Sequence, residues 1–139
     1  MKNKKGFKLA KPNIDSKLLV QEPVNYDDNP PIFSLEQVQA GSYCFSALEQ
    51  KLKADFAESV FERRKLSWQD IKNQGKHALG FEKIPRHQIK PPIPNFITND
   101  LDFFLAFRFS GKCPMLGYRK KDVFYVLWFD HNFSAYPHG

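Results

Sequence analysis

Between residues 45 and 60 the large apolar side chains recur every three or four positions, as Phe45, Leu48, Leu52, Phe56 and Val60. That spacing lays one apolar stripe along a helix, and Lys51, Lys53, Glu58 and Arg63 fall away from it. Ser46 followed by Glu49 reads as a capping box, in which side chains satisfy the first orphan amides of the helix. Ser67-Trp68-Gln69-Asp70 repeats the cap pattern, Trp68 and Ile71 give a second, short helix a core-facing side, and Gly75 ends it. The two form a helical hairpin, or one helix with a bent continuation.

From Gly80 the period shortens to that of a strand. Phe81-Glu82-Lys83-Ile84 alternates, and Leu101 to Phe109 is polar only at Asp102 and Arg108. Cys113 to Arg119 follows a Ser110-Gly111-Lys112 turn, with Pro114 and Gly117 marking an edge or a bulge. After a tight turn at Lys120-Lys121-Asp122, the nearly unbroken apolar run Val123–Phe129 predicts a strand covered on both faces, at the centre of a sheet. Ile32 to Leu35 suits a short first strand, and a last one fits around Phe133 to Tyr136. Pro91, Pro92 and Pro94 lack ladder donors and make their stretch a rigid loop. The pattern thus predicts an α+β domain over 31–139, preceded by a flexible arm over 1–30 that is rich in Lys, Asn, Asp and Pro.

Composition narrows the class. Fourteen Phe, with 42% apolar residues overall, are enough to fill the core of one domain in 139 residues. No apolar run approaches the roughly 20 residues of a bilayer span, and the N-terminal lysines lack a following apolar stretch, so a cytoplasmic protein without a membrane partner is expected. Cys44 and Cys113 are too far apart for metal-ligand spacing and read as reduced thiols, and the histidines are scattered. No metal or other cofactor is expected. The net charge of +6 is uneven: residues 76–139 hold nine basic and five acidic residues, whereas residues 31–75 balance. A basic C-terminal half suits a polyanionic partner, although a merely soluble basic surface has the same composition.

Helices followed by an antiparallel meander, with Phe107-Arg108-Phe109, Gly117-Tyr118-Arg119, then Val123 to Phe129 ending in Asp130-His131 and Tyr136-Pro137-His138, resemble the RelE/ParE toxin superfamily. The resemblance covers roughly the last forty residues well and the helices in order and length. It implies a helical hairpin packed on a twisted antiparallel sheet of about four strands. It also implies a type II toxin, neutralised by a cognate antitoxin protein, that cuts messenger RNA on the ribosome or free, or one that acts on DNA gyrase without nuclease activity.

RNA cleavage needs a group to take the 2′-hydroxyl proton, fixed cations for the phosphorane, and a donor for the leaving 5′-oxygen. Arg108, Arg119, His131, Tyr136 and His138 are the candidates for those roles, and Lys112, Lys120, Arg86 and His87 for substrate binding. Several also have a structural reading: an ion pair for Arg108, turn solvation for Lys120, a core position for Tyr136 and a cap for His131. Asp130 is expected to orient His131 or Arg119. A non-catalytic nucleic-acid-binding module would use the same basic, aromatic sheet.

Overall fold

The computed structural model describes residues 23–138, so most of the proposed arm lies outside the described residues. Five strands form one mixed sheet: β1 (Ile32–Ser34), β2 (Phe81–Pro85), β3 (Phe103–Ser110), β4 (Cys113–Lys120) and β5 (Val123–Phe129). Helices α1 (Gln50–Glu62) and α2 (Trp68–Lys72) lie between β1 and β2 in the chain. The order across the sheet is β1-β5-β4-β3-β2. β1 runs parallel to β5 and every other pairing is antiparallel. The four-stranded antiparallel sheet of the resemblance is therefore corrected to five strands with one parallel pair.

Docking of β1 makes β5 an internal strand, which is why its sequence is apolar on both sides. Phe124, Val126 and Phe129 pack toward the helices, against Phe56, Trp68 and Ile71. Leu127 and Trp128 pack on the opposite face with Ile97, Ala135 and Tyr136. Two consecutive residues share that face because the β4–β5 register slips between Leu116 and Gly117, leaving a bulge. A layer made of the 86–102 loop and the C-terminal segment covers that second face, and Lys90 donates its amide to the Ala135 carbonyl at 2.8 Å to join the two pieces. Each fully buried Phe contributes about 1.5–3 kcal/mol of transfer free energy, so the Phe107, Phe124 and Phe129 cluster is a major part of the helix-side core.

β4 is the central strand, not an edge. Pro114 is tolerated there because it stands opposite Arg108 beside the β3 irregularity between Arg108 and Ser110, where the ladder is already broken. The predicted strand around Phe133 to Tyr136 does not form; this stretch is a turn held on Asp130.

The apolar stripe of α1 packs as the spacing predicts, but the helix starts later. Residues Phe45–Ala47 form a 3-10 turn, α1 begins after Glu49, and no side chain among the described residues caps it. Ser67 and Asp70 do form a capping box on α2. Part of the supposed arm is docked: Asp27 pairs with both Lys72 and Arg119, each at 2.7 Å, and Trp68 donates its amide to the Asn29 carbonyl. Among the described residues no helix is long and apolar enough to cross a membrane.

Candidate active site

β2 begins at Phe81, opposite Phe107, so the last residues of β3 have no strand on that side among the described residues. The loop between α2 and β2 occupies the gap. It is closed by the Ala78 and Gly80 amides on the Gly75 carbonyl and by the Leu79 amide on Gln74 Oε1. Gly80 is required: a Cβ there would stand 2.1 Å from the Gln74 carbonyl oxygen.

Arg63 sits behind this junction, fully buried, contrary to the solvent-facing position its helical phase suggested. Its guanidinium donates to the carbonyls of Leu79 at 2.9 Å, Ser59 at 3.1 Å and Arg108 at 3.3 Å, and lies 4.9 Å from the centre of the Phe107 ring. Burial lowers its pKa to about 10, partly offset by the nearby Glu62 carboxylate, so the charge is kept at neutral pH. One side chain thereby ties the 75–80 loop to the backbone of Arg108.

The loop brings His77 to Arg108, with Nδ1 2.9 Å from Nη1. The pair stands where two clefts of about 340 and 330 Å³ meet. The first is lined by Asp55, Glu58 and Glu62 together with Arg63 and Arg108. The second carries Lys76, Arg108 and Lys112, with Lys76 paired to Glu82, and has His77, Tyr136 and His138 in its wall. The second cleft therefore suits a polyanion better than the first.

His138 is held from beneath. Its Nε2 lies 3.0 Å from Oδ2 of the buried Asp130, whose carboxylate also accepts the amides of Ser134 at 2.8 Å and Ala135 at 3.1 Å. The Tyr136 ring lies against the imidazole, with centroids 4.0 Å apart and planes tilted by 36°. Burial pushes the Tyr136 phenol far above its ordinary range, and no hydrogen bond to a described residue offsets that effect. Tyr136 thus keeps its proton, which suits a hydrogen-bond donor and not a phenolate base.

Of the catalytic candidates, the cleft unites Arg108, Tyr136 and His138, and Lys112 joins them from the β3–β4 turn. Arg119 is elsewhere. It pairs with Asp27, donates to the Lys121 carbonyl at 2.6 Å and covers the Trp68 ring at 4.2 Å. His131 Nε2 lies 2.9 Å from the Ser42 carbonyl oxygen, which ties down the loop before α1. Arg86 clamps its own loop through the Thr98 and Leu101 carbonyls, and His87 lines a separate cleft with Phe103 and Ile93. Lys120 is exposed at the end of β4, paired in register with Val123. Asp130 orients His138, not His131 or Arg119. The sequence reading missed His77, Lys76 and Arg63. The turn residues around Gly75 were the available signal, since a loop between α2 and β2 has to pass the end of β3.

Comparison with family models, with curated proteins and with solved structures finds no match.

Proposed function

We propose that this chain is a metal-independent endoribonuclease, with His77 and His138 as the proton-transferring pair and Arg108 as the cation that stabilises the phosphorane. The observation that carries it is the meeting of two imidazoles, a guanidinium and the Lys112 amine around one cleft, with Arg108 and His138 each anchored by a buried ionic group. Two histidines allow one to take the 2′-hydroxyl proton while the other protonates the departing 5′-oxygen. The 2′-oxygen forms a bond to phosphorus as the bond to the 5′-oxygen breaks, giving a 2′,3′-cyclic phosphate and a 5′-hydroxyl. Arg108 and Lys112 offset the charge that grows on the non-bridging oxygens, and neutral Tyr136 can donate a hydrogen bond to one of them.

The RelE/ParE resemblance extends this reading to a type II toxin whose antitoxin covers the basic cleft. Two helices between the first strand and the meander support it, while the fifth strand and the parallel β1–β5 pair depart from the sheet that the resemblance implies.

Incubation of the protein with mixed-sequence RNA in excess chelator tests the chemistry. Cyclic-phosphate ends are the expected product. Binding without cleavage would leave a non-catalytic nucleic-acid-binding module; in a parallel inducible-expression experiment, growth arrest with intact cellular RNA would move the target to gyrase or another protein.

A further inference from the structure

Beside the cleft stands Phe133, whose backbone is in the left-handed region with φ 59°. A bulky non-glycine residue rarely occupies that region, and Asn or Gly would suit the position better. The ring gains no core position in return: it is 44% exposed and belongs to neither hydrophobic cluster. It lines the cleft and meets the His138 ring edge-on, with centroids 5.3 Å apart and planes at 89°.

The turn is clamped around this residue. Asp130 accepts the next two amides, while the Ser134 hydroxyl is bonded to Asn132 at 2.8 Å and to the Tyr43 hydroxyl at 2.8 Å. The backbone that carries an exposed aromatic ring is therefore fixed, against its own preference, at the lip of a cationic cleft. Strain of this kind persists where the surroundings over-determine it, as at ligand-binding positions.

We infer that Phe133 is a base-stacking residue at the mouth of the Arg108 cleft, and that it makes single-stranded RNA the substrate class. Nucleobases have apolar faces that stack on aromatic rings, and phosphates on either side would meet the lysines and Arg108. In a duplex both faces of each base are already stacked on neighbours, so only an unpaired base can lie against the ring. The inference rests on the nuclease reading for the role of the cleft, but the contact itself is a binding event and can be measured without turnover.

The test uses the full chain and a mixed-sequence RNA oligonucleotide with 2′-O-methyl groups, which binds but lacks the attacking hydroxyl. Phe133→Gly removes the ring and suits the backbone; Phe133→Trp keeps an aromatic face. The expected result is that Phe133→Gly melts at the wild-type temperature or above yet binds about tenfold more weakly. Phe133→Trp binds within about threefold of wild type, and a duplex of the same sequence binds more weakly than the single strand. Equal binding by wild type and Phe133→Gly, or equal affinity for duplex and single strand, overturns the inference. Wild-type protein that binds single strands through Phe133 but cuts no RNA supports stacking and overturns only the nuclease reading.

Discussion

Arg108 and Arg119 stand on neighbouring strands and point to opposite faces of the sheet. Arg108 is in register with Pro114, five positions before Arg119 in β4, and side chains alternate along a strand. Arg108 consequently reaches the cleft on the loop side, whereas Arg119 lies over Trp68 on the helix side. Arg119→Ala is expected to lower stability by about 1–2 kcal/mol, through loss of the ring contact and of the Asp27 pair. Cleavage per folded molecule should be unchanged. Urea unfolding alongside an RNA cleavage assay checks both halves.

Arg63→Met should destabilise the chain by about 3–5 kcal/mol, because three carbonyls, one buried and two partly buried, lose their donor at once. The damage should spread to the site, since the same guanidinium fixes the His77 loop and the Arg108 carbonyl. Hydrogen exchange of the 75–80 amides is the direct readout. A stable variant with unchanged protection there would show that Arg63 does not hold the junction.

Acid stability should depend on Asp27. Lys72 and Arg119 hold its carboxyl below the ordinary value of 3.8. A depressed carboxyl stabilises the fold above the unfolded pKa, and this contribution is lost as pH falls through the folded value. Wild-type stability should therefore drop below about pH 4 more steeply than that of Asp27→Asn, which is less stable at neutral pH. Denaturant titrations between about pH 2 and pH 6 would show the two curves converging at the acid end. Parallel curves would remove Asp27 from the account.

Gly117→Ala should cost about 3 kcal/mol or prevent folding. A Cβ there would lie 1.9 Å from the Tyr125 carbonyl oxygen, where the β5 bulge brings two backbones together. Thermal melting of the variant tests this, and a wild-type melt would mean that the bulge can relax.

The helices, the strands of the meander and the turns between them were legible because each rests on local periodicity: the stripe from Phe45 to Val60, or the apolar run of β5. Pairing between distant segments was not. Nothing local to Ile32–Ser34 says that it runs parallel to β5. Nor did periodicity reveal that Arg63 turns inward, because a buried guanidinium is paid for by carbonyls from three separate segments. At the site, the closing residues Tyr136 and His138 were visible as chemistry, and Arg108 as a lone polar position in an apolar strand. Arg119 looked equivalent to Arg108 in residue type, and only the register separates them. His77 lay in a loop whose position depends on where β2 begins.

The most direct test of the central claim is cleavage of single-stranded RNA in excess chelator by wild type, Arg108→Ala and His138→Ala, each shown to be folded by its near-ultraviolet dichroism. The cleft predicts cyclic-phosphate products from wild type. Arg108→Ala should lose about 10²–10³-fold in rate and His138→Ala about 10²–10⁴-fold. Absence of wild-type cleavage, or wild-type rates in both variants, would contradict the assignment of this cleft as a nuclease site.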